Sequence, residues 1–264
     1  MSENTNMSFL SHLEELRWRL VRCAIAILVV GIAIWFLQGY IMDYLFLSMM
    51  KSDFVTFRVF CQVLGVCVED VPVKMQSTTV SGQFSYAMML SILGGVVGAF
   101  PYIVYQLWKF IEPGLKVNEK SSVKGIVFYI SLLFFIGILF GYFIVAPLSV
   151  QFFGSFTISN QIENNFTISS YMSMILSTIF YCGLFFLLPV VSYFLTRIGL
   201  FGSDFLKKYR RHAIVVILIL AAIITPPDVI SQIVVTIPIY ILYEISILVS
   251  VRVEKQIEKD EKNS

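Results

Sequence analysis

Charge is scarce in this chain. Only 14% of its 264 residues are Asp, Glu, Lys or Arg, against 58% hydrophobic ones and a mean hydropathy of +0.83. So few polar groups cannot coat a soluble globule of this size, and lipid is the expected solvent for most of the surface. Histidine is almost missing, with His12 and His212 alone, and there is no HExxH, CxxC or histidine cluster. No metal site and no cofactor are therefore expected. There is no GxxxxGK[ST] loop, so nothing cradles a nucleotide. A net charge of +2 is too small to suggest a nucleic-acid partner. Segments of about ten alternating residues are absent as well, which excludes a barrel and leaves helices as the only way to satisfy the backbone in lipid. A basic, apolar and small-residue leader is not seen either: the chain opens on polar Ser2 to Asn6, so synthesis is expected in the compartment its termini face.

What the chain has is long apolar runs. Cys23 to Met42, Met75 to Trp108, Gly125 to Ile162 and Tyr171 to Thr196 carry no charge, and each exceeds the ~20 residues needed to cross ~30 Å of hydrocarbon. The last pair is different. Ala213 to Ile224 spans only roughly 18 Å at ~1.5 Å per residue, so it extends into its flanks or thins the bilayer. Val229 to Val251 contains Pro238 and the charge of Glu244. The expected architecture is an all-α integral membrane protein, a single six-span domain over 1–264. An amphipathic helix covers 1–22, spans cover 23–42, 84–108, 125–147, 171–196, 213–224 and 229–250, and a polar tail covers 254–264. Sixteen of the nineteen Lys and Arg residues fall before the first span, in the second and fourth gaps, or after the sixth span. Only Lys51, Arg58 and Lys74 occupy an alternate gap. This positive-inside bias puts both termini on the cytoplasmic or matrix side.

Four cysteines make no framework. Cys23 and Cys182 lie inside expected spans and pack as small hydrophobes. Cys61 and Cys67 share the first outer loop, where they either pair, if that side is oxidising, or remain thiols. An intramembrane protease would need a serine with a histidine, or two aspartates, at membrane depth. Both histidines sit at the inner edge and no aspartate lies in spans two to four, so no enzyme is expected. The alternative class is a proton-coupled small-molecule transporter, which would be expected to show internal repeats and polar groups at the bilayer midplane.

Before the first span, Ser8 to Leu20 reads SFLSHLEELRWRL, with Phe9, Leu10, Leu13, Leu16 and Leu20 along one stripe and Ser11 and Glu14 spaced as a capping box. The spacing also permits helix pairs between Glu15 and Arg19 and between Glu14 and Arg17, worth a few tenths of a kcal/mol each. Pro101 should kink the second span, and Pro113 with Gly114 should end its helix. Tyr105, Trp108 and Phe110 fall where an aromatic belt is expected. Asp228 is placed to cap the sixth helix. Glu244 lies roughly two turns before Arg252, at the hydrocarbon edge, so it needs a specific polar partner or must snorkel to the inner surface.

These blocks carry a resemblance. HLEELRWRL at His12 to Leu20, FPYIVYQLWKFIEPGLKVNEK at Phe100 to Lys120, the aromatic stretch Phe134 to Phe153, and TPPDVISQ with PIYILYE across Thr225 to Glu244 resemble the TatC family, in order and at matching spacings. TatC proteins are the multi-spanning receptor subunits of the twin-arginine protein translocase. The resemblance implies a concave six-helix scaffold that binds twin-arginine signal peptides and works with TatA/TatB-type single-span subunits. With them it moves folded proteins using the protonmotive force. It also implies a homo-oligomeric receptor complex in contact with membrane lipids.

By the same resemblance the signal-binding acids fall on Glu15 and Glu119, with Arg17 shaping the site and Phe110 beside it. Asp228, Gln232 and Glu244 become partner-docking or intramembrane polar residues. Paired carboxylates suit paired guanidinium forks and reward arginine over lysine. Two departures stand out. Leu187 occupies the place of an intramembrane glutamate common in the family, so that docking group is missing or replaced by Gln106, Gln232 or Glu244. The first outer loop reads Phe46, Leu47, Ser48 without the usual proline. With 24 Phe and 13 Tyr, these departures favour an organellar, mitochondrial inner membrane over a bacterial cytoplasmic or thylakoid one.

Overall fold

The computed structural model describes residues 9–65, 67, 75–111, 123–159, 165–225 and 229–262. Ten α-helices are present among them. In order they are α1 (Phe9–Tyr40), α2 (Val55–Leu64), α3 (Gly82–Ile111), α4 (Val123–Phe140), α5 (Ala146–Ser155), α6 (Ile168–Phe185), α7 (Leu188–Arg197), α8 (Ser203–Lys208), α9 (Arg210–Ile224) and α10 (Val229–Lys262). Two short strands, β1 (Met75–Gln76) and β2 (Phe166–Thr167), pair in parallel with Met75 opposite Phe166. The chain divides into two compact units, one of Met1–Tyr40 with Phe84–Leu132 and one of Ile41–Gln83 with Leu133–Ser264.

Among the described residues, five stretches are long and apolar enough to cross a membrane: Leu13–Gln62, Gly82–Phe110, Gly125–Ser155, Ile168–Arg197 and Ser231–Lys259. The expected fifth span corresponds to α9, whose 15 residues reach about 22 Å at ~1.5 Å per residue, short of a full ~30 Å core. The expected surface helix and first span form one helix, since α1 runs unbroken for 32 residues. The sixth helix likewise continues to Lys262, through most of the tail expected to be separate. Pro101 and Pro238 lie inside α3 and α10, which are helical on both sides of the ring.

In the first unit, α1 and α3 pack against each other through glycines. A Cβ added to Gly95 would stand 2.6 Å from the Ile27 carbonyl oxygen and 3.2 Å from the Gly31 Cα. One added to Gly98 would stand 2.8 Å from Val30, and one added to Gly94 would stand 2.7 Å from Ile34. Rising numbers on α1 meet falling numbers on α3, so the two helices are antiparallel. Small residues permit this approach where lipid supplies no hydrophobic drive between helices. The other face of α1 shows Ile25, Leu28, Val29, Ile32 and Phe36 at helical spacing, with Phe36 79% exposed. A continuous apolar stripe of that kind is untenable in water and ordinary against acyl chains.

The second unit holds its core around Val145, Cys182, Ile217, Ala221, Val235 and Ile239, all buried. Here too glycine sets the spacing: a Cβ on Gly137 would lie 2.7 Å from the Cys182 carbonyl oxygen, and one on Gly141 would lie 2.9 Å from the Ile179 Cα. Gly141–Val145 is π-helical, as is Ile41–Phe46. The segment that follows α1 is folded onto the rest of this unit. Tyr171 donates to the Phe46 carbonyl at 2.5 Å, Tyr142 donates to the Leu45 carbonyl at 3.1 Å, and Thr56 on α2 donates to the Phe143 carbonyl. Phe57 and Met49 are completely buried there. Cys61 and Cys67 are joined by a disulfide, with Cα atoms 4.3 Å apart, which decides the pairing that spacing left open; Cys23 and Cys182 are buried free thiols.

Candidate functional site

The antiparallel register that seats Gly31 on Gly95 carries a second, polar contact further along the same pair of helices. Arg19 precedes Gly31 by twelve residues, about 18 Å of helix at ~1.5 Å per residue, and meets α3 at Gln106. Glu15 and Arg19 share one face of α1 at i,i+4 spacing. The Arg19 guanidinium donates twice to the same carboxylate oxygen, Glu15 Oε1, from Nε at 2.9 Å and more closely from Nη2. Its Nη1 donates to Gln106 Oε1 at 3.4 Å, and Gln106 Nε2 donates to the Tyr102 hydroxyl at 2.7 Å. Gln106 is only 5% exposed, and the side chains of Arg19 and Glu15 are 15% and 26% exposed. Partial removal from water makes each charge depend on the other, because removing one partner leaves an uncompensated ion. Among the described residues, Glu15 Oε2 receives no donor.

The predicted residues distribute unevenly around this cluster. Glu15 lies at its centre. Phe110 is half-buried and follows Gln106 by one helical turn, so it extends the same face of α3. Arg17 and Glu14 are exposed, and among the described residues neither forms an ion pair. Glu119 falls outside the described residues, as do Pro113 and Gly114; α3 ends at Ile111. Trp108 does not act as a belt residue. It is 3% exposed, because its position faces the packed side of α3 rather than lipid. Tyr105 keeps a surface role, with Lys109 Nζ 4.8 Å from its ring centre.

A second polar group joins α8, α9 and α10. Glu244 accepts from Arg210 Nη2 at 2.8 Å and from the Tyr240 hydroxyl at 3.1 Å. Arg210 is the first residue of α9, and the two side chains are 48% and 33% exposed, so the acid has a specific cation at a partly open position. Tyr243 donates to the Leu206 carbonyl at 2.7 Å, and Glu254 accepts from the Ser203 amide at 2.6 Å, capping the short α8. Further up, Gln232 donates to the Leu218 carbonyl at 3.1 Å and ties α10 to α9. Asp228 lies outside the described residues. Leu187, where the resemblance implies a glutamate, is half-buried at the break between α6 and α7, and its carbonyl accepts from Val190 at 2.9 Å. Of the three residues considered as its replacement, Gln106 is engaged with Arg19 and Tyr102, whereas Gln232 and Glu244 belong to the same unit as Leu187.

Sequence reasoning missed Arg19 as anything beyond a helix pair, and it missed Tyr102, Arg210 and Glu254 altogether. Gly94 and Gly98 form a GxxxG spacing, the one signal that could have placed α3 close against another helix and so brought Gln106 to Arg19. For Arg210 and Glu254 no such local signal exists, because their partners lie 34 and 51 residues away.

Known proteins resemble this chain over nearly its whole length. The family model for TatC, the Sec-independent protein translocase protein, matches residues 11–238. A Sec-independent protein translocase protein TatC from Blattabacterium is 38% identical over 263 residues, covering 97% of this chain and 99% of the relative. Its counterpart from Helicobacter pylori strain 26695 is 36% identical, covering 96% and 90%. TatCy of Bacillus subtilis is 33% identical, covering 96% and 92%. A crystal structure described as the twin arginine translocase receptor TatC superposes with a TM-score of 0.68 at 28% identity, covering 92% of this chain and 99% of that one. A second crystal structure of that receptor, in DDM, gives 0.69 at 29% identity.

Proposed function

Because the chain belongs to the TatC family of Sec-independent protein translocase proteins, we infer that it is the receptor subunit that takes up twin-arginine signal peptides and hands folded cargo to the translocation step. Membership replaces the reading as an unrelated small-molecule transporter. The chain is a multi-pass membrane protein; six crossings with both termini inside are the proposed topology, supported by the sixteen basic residues on one side. The curated relatives named above come from bacteria, so a bacterial cytoplasmic membrane is proposed in preference to an organelle.

The observation that carries the receptor reading is Glu15. It is a part-buried carboxylate that already holds a guanidinium, with a second oxygen that receives no donor among the described residues. A guanidinium is a planar fork that matches a carboxylate on two bonds, whereas an ammonium is a point charge. One such acid per arginine is the minimum for reading two arginines, and Glu119 is the proposed second. Phe110 is proposed to line the site and Arg17 to tune it. Proposed partners are twin-arginine signal peptides, TatA/TatB-type single-span subunits, further copies of this chain and membrane lipid, with the protonmotive force as the energy source. Gln232, Asp228 and Glu244 are proposed to contact the single-span partners.

Site-specific photocrosslinking tests the reading. A photoreactive residue at position 15 or 119 is expected to label a signal peptide bearing Arg-Arg strongly and one bearing Lys-Lys weakly. Equal labelling of both peptides would defeat it.

A further inference from the structure

We propose that Arg19 is an internal stand-in for the incoming signal arginine, and that Gln106, steadied by Tyr102, is the seat that receives Arg19 when it is displaced. The proposal rests on the reading of Glu15 as a guanidinium-binding acid and adds to it a competitor and a place for that competitor to go.

The geometry at Glu15 is one-sided. Both Arg19 donors converge on Oε1, so Arg19 holds the carboxylate through one oxygen. A fork-to-fork pair with an external arginine needs both oxygens at once. Full engagement of the ligand therefore requires Arg19 to give up Oε1. The freed guanidinium cannot stay beside a second guanidinium in a part-buried place without a new acceptor. Gln106 supplies one: its Oε1 already stands 3.4 Å from Arg19 Nη1, at the long end of a hydrogen bond, and a small rotation of the arginine closes it.

Gln106 is well suited to wait there. An amide oxygen accepts without adding charge, and its Nε2 is held by the Tyr102 hydroxyl at 2.7 Å, which fixes the orientation that turns the oxygen toward α1. At 5% exposure it has little water to serve as an alternative partner. Position 106 cannot slide away from position 19, because the glycine-to-glycine contact of Gly31 with Gly95 sets the register of the two helices.

The consequence concerns discrimination. An empty receptor with a bare, part-buried carboxylate would attract any cation. With Arg19 in place, a ligand must outcompete a guanidinium, which a two-pronged arginine does and a one-point lysine does not. Gln106 is thus a positioning residue acting through Arg19.

The test measures the Kd of fluorescent Arg-Arg and Lys-Lys signal peptides for the full-length protein in lipid nanodiscs. R19Q is expected to bind both peptides several-fold more tightly while the Arg-Arg to Lys-Lys preference shrinks. Q106E, which draws Arg19 off Glu15, should tighten Arg-Arg binding, and Q106L, which removes the seat, should weaken it at least fivefold. A purely structural role for these residues would weaken binding in all three and leave the preference unchanged, and that result overturns the proposal. E15Q separates the two levels: Arg-Arg binding unaffected by E15Q would overturn the receptor reading itself. Weakening by E15Q together with weakening by both R19Q and Q106E would overturn the stand-in alone. Should R19Q fail to fold, Q106E carries the test, since it keeps both charges of α1.

Discussion

Gly95 has room for a hydrogen and nothing larger: a Cβ there would lie 3.2 Å from the Gly31 Cα and 2.6 Å from the Ile27 carbonyl oxygen. Both neighbours are backbone and cannot swing away, so a larger residue at 95 must push α1 from α3. G95V is expected to cost about 1–3 kcal/mol, the usual range for overpacking. It should also loosen the Arg19 to Gln106 contact, which depends on the same register. G39A makes the control, because nothing lies within 4 Å of a Cβ at Gly39. It should be neutral or stabilising by a few tenths of a kcal/mol. Thermal unfolding of the purified protein distinguishes them.

The cap on α8 makes a second case. Glu254 accepts from the Ser203 amide at 2.6 Å, and a Cβ on Gly202 would stand 2.7 Å from the same carboxylate oxygen. E254A should cost about 1 kcal/mol through loss of the cap. G202A should cost a similar amount, because it dislodges the same carboxylate. The double variant should be no worse than either single one, since both act on one contact. Additive losses in a thermal melt would contradict this.

Cys61 and Cys67 close a short loop at the end of α2. In native membranes both should resist maleimide until a reductant is added and then react from the outer side only. C61S with C67S should cost about 2 kcal/mol, the chain-entropy value for so short a loop. Labelling without reductant, or from the inner side, would contradict the pairing or the topology.

Glu244 and Arg210 are joined at 2.8 Å but stand 33% and 48% exposed, so the pair is screened and contributes less than about 1 kcal/mol. E244Q should therefore fold normally. Under the docking role proposed for Glu244, E244Q should nonetheless reduce co-purification of a TatA-type subunit severalfold, which a pull-down from detergent-solubilised membranes measures.

The long spans were legible because charge-free length and the side-to-side bias of Lys and Arg are properties of the chain itself. The shortness of α9 was legible for the same reason. Glu15 with Arg19 was legible as an i,i+4 spacing. Gln106 was not, because its partner lies 87 residues away and the register that joins them is set by a contact between glycines of two different helices. Trp108 shows the converse error: an aromatic near a helix end suggests a belt, yet the direction it faces is decided by neighbours that one helix does not reveal. The folded segment after α1, with α2 and the β1–β2 pair, escaped because its elements are too short to leave a periodic signal.

The most direct test of the central claim is transport itself. Inverted membrane vesicles carrying this protein with TatA-type subunits are given a folded reporter bearing an Arg-Arg or a Lys-Lys signal, and protease protection is scored with wild type and E15Q. Only the Arg-Arg reporter should become protected, only with wild type, and not after a protonophore collapses the gradient. Equal protection of the Lys-Lys reporter, or full transport by E15Q, would contradict the account.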